Sequence, residues 1–133
     1  MLPPRLLLVD DEADFVGLLA KRLRRRKLDV RVAGSAEAAL AELDEHTFDV
    51  VVLDIRMPGM DGLQALTELR RRFPTTQVIM LTGFADTTMA AQALRCGAFA
   101  YLVKPVDVEE LLDRIRAAAS GQPPPAATAP SSL

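Results

Sequence analysis

The stretch Val50-Val51-Val52-Leu53-Asp54-Ile55-Arg56-Met57-Pro58-Gly59-Met60-Asp61-Gly62 decides how this chain folds. An apolar, β-branched run ends in a carboxylate, and Pro58, Gly59 and Gly62 follow at once as loop residues. A strand with no polar alternation is one buried on both faces, as in a parallel sheet between two helix layers. Asp54 therefore falls at the carboxyl end of a central strand, where open α/β sheets gather their ligands. A carboxylate there is costly unless a cation meets it. Alone, it reads equally well as an ordinary turn residue.

Working outward, Arg5 to Val9 reads as a first strand, closed by Asp10-Asp11-Glu12. A helix follows, with Phe15, Leu18, Leu19 and Leu23 on one face. Asp29 to Ala33 alternates as a half-buried edge strand, with Val30 and Val32 inward. Ser35 is placed to cap a second helix carrying Ala36, Ala39, Leu40 and Leu43. The central strand spans Phe48 to Leu53. Gly62 to Phe73 is helical, with Leu63, Leu66, Leu69 and Phe73 on one face, and Pro74 stops it. Gln77 to Leu81 is a fourth strand ending in Thr82-Gly83. Asp86 caps a helix over Thr87 to Arg95, ended by Gly97. Phe99 to Val103 is a fifth strand ending in Lys104-Pro105, and Asp107 with Glu110 resembles a capping box before a last helix with Val108, Leu111, Leu112 and Ile115.

Five strands alternating with five helices specify an α/β fold, a parallel sheet with helices on both faces. The 133 residues, half of them hydrophobic, suit one domain over residues 1–120 with a real core. From Gly121 the composition turns to Pro, Ala, Thr and Ser, so 121–133 is expected to be a disordered tail or linker. A net charge of −2 excludes a strongly basic nucleic-acid surface. The one basic run, Lys21, Arg22, Arg24, Arg25, Arg26 and Lys27, closes the first helix, where cations favour the helix dipole. The single cysteine, Cys96, can form no intrachain disulfide and reads as a small packing residue. Leu6-Leu7-Leu8-Val9 is too short for a signal peptide and is followed by acids. No run approaches the length of a membrane span, so a cytoplasmic location is expected.

In a parallel sheet the strand ends share one edge. Strand one brings Asp10 and Asp11 there, strand three Asp54, strand four Thr82 and strand five Lys104. Each has an ordinary reading as cap, turn or surface residue; their convergence does not. Three carboxylates in one crevice call for a cation, and oxygen donors with no His or Cys favour a hard ion such as Mg2+. Lys104 adds a fixed positive charge and Thr82 a hydroxyl. Two cations beside a carboxylate suit a phosphoryl group arriving on Asp54, which would act as the nucleophile.

The motifs Leu8-Val9-Asp10-Asp11-Glu12, Leu53-Asp54 through Gly62-Leu63, Leu81-Thr82-Gly83 and Gly97-Ala98-Phe99-Ala100-Tyr101-Leu102-Val103-Lys104-Pro105 together are highly specific. From about Arg5 to Ala119 the chain resembles the receiver domain of bacterial two-component response regulators. That resemblance implies a flavodoxin-like receiver with strand order 2-1-3-4-5. It implies that Asp54 accepts a phosphoryl group from a sensor histidine kinase or phosphotransfer protein. Asp11, Asp54 and the backbone carbonyl of Arg56 would bind Mg2+, with Asp10 acting through water. Lys104 would pair with the phosphoryl oxygens. Thr82 and Tyr101 would form the switch that moves the face of the fourth helix, fifth strand and fifth helix toward a downstream effector. The resemblance also implies a cis Lys104-Pro105 bond. Arg56 and Phe84, two residues past Asp54 and Thr82, would flank the water path and tune the phosphoryl lifetime. Phe99 and Ala100 replace acids that pair across a dimer in many such receivers, which argues against that dimer mode; a monomer or a phosphorylation-dependent dimer stays open.

Three rival readings fit the residues less well. A Mg2+-dependent phosphohydrolase with an Asp nucleophile typically carries an acid two residues on, where Arg56 stands, so at most weak self-dephosphorylation is expected rather than enzyme turnover. A pseudo-receiver would not need intact Asp10, Asp11, Asp54, Thr82 and Lys104. A nucleotide or flavin binder would carry a Gly-rich loop after strand one, where acids stand instead. Direct nucleic-acid or membrane binding by this domain is not expected.

Overall fold

The structure, a computed structural model, describes residues 3–54, 61–83 and 86–122. In chain order the elements are β1 (Arg5–Val9), α1 (Ala13–Arg25), β2 (Asp29–Ala33), α2 (Ala36–Glu45), β3 (Val50–Leu53), α3 (Gly62–Arg72), β4 (Gln77–Thr82), α4 (Thr87–Arg95), β5 (Ala100–Val103) and α5 (Val108–Ala119). The strands form one sheet in the order β2-β1-β3-β4-β5, every neighbouring pair parallel. The expected fold class and strand order are both found.

Strand alternation divides the core in two. Leu7, Val9, Val51, Leu53, Val78, Met80 and Tyr101 face α2, α3 and α4. Leu6, Leu8, Val50, Val52, Ile79, Leu81, Ala100 and Leu102 face α1 and α5. All four residues of β3 are buried, which is why its sequence shows no polar alternation. Each fully buried large aliphatic side chain contributes about 1.5–3 kcal/mol, so two such layers dominate the stability of the domain.

Local signals set the helix starts. The Ser35 side chain accepts the Ala38 N–H at 3.1 Å, as its capping position requires. Asp86 accepts from Thr88 N–H at 2.8 Å and Met89 N–H at 3.2 Å at the start of α4. Asp61 and Gln64 make a reciprocal capping box on α3, a pairing the sequence reading passed over. Asp107 precedes α5 as expected, but its side chain makes no capping hydrogen bond.

Other details differ from the sequence reading. Strand β3 starts at Val50 rather than Phe48, although Phe48 is still buried, and β5 starts at Ala100. Leu18 is 52% exposed, because the buried stripe of α1 runs through Val16, Leu19, Ala20 and Leu23. Val32 is 39% exposed on the edge strand β2, where one flank of the sheet is open. Cys96 caps the end of α4 and is exposed rather than packed. Among the described residues no helix is long and apolar enough to cross a membrane.

Candidate functional site

The sheet register builds the site. Val9 pairs with Leu53, Leu53 with Met80, and Thr82 with Val103. The ladder continues one residue past these ends. Asp10 N–H donates to Ala33 O at 3.1 Å, Asp54 N–H to Val9 O at 3.1 Å, and Lys104 N–H to Thr82 O at 2.7 Å. Backbone hydrogen bonds thus fix Asp10, Asp54 and Lys104 at one edge, despite their separation in sequence. The Lys104-Pro105 bond that follows is cis.

Lys104 is the hub. Its ammonium donates to Asp10 Oδ2 at 2.8 Å, Glu12 Oε1 at 2.9 Å and Asp54 Oδ2 at 3.2 Å. Its Nζ also lies 4.3 Å from the centroid of the Phe15 ring. The Asp10 and Asp54 side chains are each 6% exposed and that of Glu12 is 63% exposed. Burial pulls the Lys104 pKa down, but the hydrogen bonds to Asp10 and Glu12 and the charges of Asp54 and Asp10 outweigh it. The ammonium is therefore held protonated well above the ordinary lysine range. Asp10 moves the other way from a well-paired carboxylate. Its burial raises its pKa, and the Asp54 charge adds to that, against lowering by Lys104 and the Glu12 N–H. That N–H donates to Asp10 Oδ1 at 2.9 Å and bends the chain back toward the site before α1.

The other face of the sheet edge carries Thr82 and Tyr101. Thr82 is fully buried and Tyr101 is 4% exposed, packed with the α2–α4 core. Burial raises the Tyr101 pKa, and the charges of Asp86 and Asp54 raise it further. Tyr101 is thus within electrostatic reach of the acidic edge.

Among the described residues, the carboxylates that converge are Asp10, Glu12 and Asp54, with ligand oxygens all within 4.8 Å of one another. Asp11, expected as a metal ligand, lies beside Asp10 with an exposed side chain and outside that group. The donor set is all carboxylate oxygen, which fits a hard divalent cation such as Mg2+. Arg56 and Phe84 lie outside the described residues. The sequence reading missed two participants. In the sequence Glu12 stands only as part of an acidic run, and Phe15 only as a residue of the apolar helix face. The signal for Glu12 was its place between a strand-end aspartate and a helix start, where a short turn returns a side chain to the strand edge.

Comparison with known proteins shows the family. The family model for the response regulator receiver domain matches residues 6–116. The chain is 41% identical over 107 residues to the regulatory protein AtoC of Escherichia coli K12, covering 80% of this chain and 23% of that protein. It is 39% identical over 124 residues to the response regulator protein PilR of Pseudomonas aeruginosa, covering 93% of this chain and 28% of that protein. The chain thus spans about a quarter of the length of these curated relatives. Among solved structures, a CheY-like receiver domain from Methanospirillum hungatei superposes with a TM-score of 0.84 at 30% identity, covering 89% of this chain and 94% of that one. A response regulator from Burkholderia pseudomallei, solved with a phosphorylated aspartic acid, a calcium ion and citrate, gives 0.81 at 33% identity, covering 88% of this chain and 69% of that one.

Proposed function

The chain belongs to the response regulator receiver domain family of two-component systems, and from that premise we propose that Asp54 is its phosphoacceptor. The phosphoryl group would come from a sensor histidine kinase or a phosphotransfer protein. The observation that carries this reading is the Lys104 ammonium, bonded at once to buried Asp10 and buried Asp54 at the carboxyl edge of the sheet. A carboxylate nucleophile beside a fixed cation is suited to in-line attack on phosphorus, since the charge building on the equatorial oxygens has a partner in place. The Burkholderia pseudomallei relative, with its phosphorylated aspartic acid and a divalent cation, points the same way.

Asp11 and Asp54 would hold Mg2+ directly, with the backbone carbonyl of Arg56, and Asp10 would hold it through water. The ion would supply charge neutralisation at the phosphoryl oxygens. Lys104 supplies a second, permanent positive charge, and Thr82 offers a hydroxyl that can donate to a phosphoryl oxygen. Thr82 and Tyr101 face the α2–α4 core, so their movement would couple the site to the α4, β5 and α5 face, which would control an effector domain or protein. Arg56 and Phe84 would tune how long the phosphoryl group lasts by flanking the approach of water. Residues 1–120 would form the receiver unit, with 121–133 a linker or tail, in a cytoplasmic protein that acts as a switch and not as an enzyme.

The test is intact-protein mass spectrometry after incubation with acetyl phosphate and Mg2+. One phosphoryl group is expected on the parent and none on Asp54→Asn. Excess chelator and Asp11→Ala should each stop labelling. Thr82→Ala and Tyr101→Ala should accept the group but lose the downstream shift. Stoichiometric label persisting on Asp54→Asn would refute the assignment. A faster decay of the labelled protein after combined Arg56→Asn and Phe84→Ser substitution is expected if those two residues guard the site.

A further inference from the structure

Lys104 has three N–H donors, and all three are engaged: by Asp10, by Glu12 and by Asp54. The Phe15 ring lies against the same ammonium. No donor is left over for a phosphoryl oxygen until one of these bonds is given up. We propose that Glu12 is a positioning residue that holds Lys104 in a parked pose and competes with the incoming phosphoryl group for its third N–H. The inference rests on the reading of Asp54 as phosphoacceptor.

Exposure says which bond yields. Asp10 and Asp54 are buried, and taking the ammonium from either weakens a charge pairing in a dry site. Glu12 is 63% exposed and exchanges the ammonium for water at little cost. The bonds to Asp10 and Glu12 are also shorter, at 2.8 and 2.9 Å, than the 3.2 Å bond to Asp54. The ammonium is drawn toward the β1–α1 turn and away from the nucleophile. In the transfer, an Asp54 carboxylate oxygen forms a bond to phosphorus as the bond from phosphorus to the acetate oxygen breaks. Acetate leaves as its carboxylate, and no proton is exchanged. The group that must be recruited is the Lys104 ammonium, and Glu12 sets how readily it moves.

The experiment compares initial labelling rates from acetyl phosphate for the parent, Glu12→Gln, Glu12→Ala and Glu12→Asp across a Mg2+ titration. At saturating Mg2+, Gln and Ala are expected to label about three- to fivefold faster than the parent, the size of one exposed ion pair. Asp, which keeps the charge on a shorter arm, should fall between. The 15N resonance of the Lys104 ammonium gives a second readout and should shift in unphosphorylated Glu12→Gln. Rates at or below the parent's at saturating Mg2+ would overturn the proposal. So would slower labelling with a raised Mg2+ requirement, which would make Glu12 a metal ligand instead. A parent that takes no label at all would sink the phosphoacceptor reading itself, and this inference with it.

Discussion

Lys104 and Asp10 lie 94 positions apart in the chain, yet an ammonium–carboxylate bond of 2.8 Å joins them across the edge of the sheet. Both side chains are largely buried, at 13% and 6% exposed. The bond therefore answers a liability: without Lys104, Asp10 and Asp54 would be two like charges deprived of the ammonium they share. Lys104→Met should lower stability by about 3 kcal/mol, the typical cost of removing one partner of a buried pair. Added Mg2+ should return part of the loss, about 1.4 kcal/mol at ten times its Kd, because it binds only the folded cluster. Urea denaturation with and without Mg2+ measures both. A variant as stable as the parent in the absence of metal would show that water already screens the pair.

Two glycines make opposite predictions. Gly17 sits within α1, and a Cβ added there meets nothing within 4 Å. Gly17→Ala should stabilise the protein by about 0.5–1 kcal/mol through helix propensity alone. Gly97 follows α4 with φ at +104°, and an added Cβ would lie 3.2 Å from Arg70 Cγ and 3.2 Å from Arg70 Nε. Arg70 is not free to retreat, because its guanidinium donates to the carbonyl oxygen of Thr76. Gly97→Ala should cost about 1–2 kcal/mol from the backbone conformation, before any packing loss. Urea midpoints at constant m test the pair, and equal signs for both would contradict this account.

The order of elements was legible because each strand is an apolar run and each helix carries a spaced apolar stripe. Asp10, Asp54, Thr82 and Lys104 were legible as a group because parallel strands end on one edge, and they do share it here. Side-chain placement was less so. Leu18 lies three residues after Phe15, as a buried stripe requires, but Ala20 is buried on the opposite flank of the stripe, and small residues carry little weight in a periodic reading. Val32 alternates correctly on a strand whose edge position leaves it half uncovered. Glu12 and Phe15 meet Lys104 from the turn and first helical residues after Asp10, which accepts the Glu12 N–H, and a periodic reading of apolar residues gives no weight to that turn.

Tyr101 and Lys104 should govern the alkaline limb of stability. Tyr101 is raised above its ordinary value of about 10 and Lys104 above about 10.4. In both cases the folded state holds its proton to higher pH than the unfolded chain. Stability is then fully present below those ordinary values and falls as pH rises through them toward the folded ones. Tyr101→Phe removes one of the two contributions, so its stability should decline less steeply than the parent's above about pH 10. Urea midpoints measured from about pH 8 to 11 give the two slopes. Parallel slopes would mean that the phenol titrates as if exposed.

Asp10 makes the corresponding prediction at acid pH, with a sign unlike that of most paired carboxylates. Its folded pKa is raised, chiefly by burial, even though Lys104 and the Glu12 N–H favour its ionised form. The folded state therefore binds more protons than the unfolded chain from about pH 3.9 up to the folded value, and Asp10's contribution to stability falls as pH rises across that window. Above it the ionised, buried carboxylate is a constant liability. Asp10→Asn keeps a side-chain oxygen that can accept from the Glu12 N–H or from Lys104 and removes the charge beside Asp54. It should be more stable than the parent at neutral pH by about 1 kcal/mol, the usual scale of relief at a strained functional site. The gap should close as pH falls through the window, because the parent's Asp10 then takes up its proton. The same variant should bind Mg2+ more weakly, having lost the Asp10 charge beside Asp54. Denaturation midpoints of both proteins, measured across acid to neutral pH without metal, decide the matter. An Asp10→Asn protein less stable than the parent at neutral pH would mean that the ion pair with Lys104 outweighs the burial of the charge.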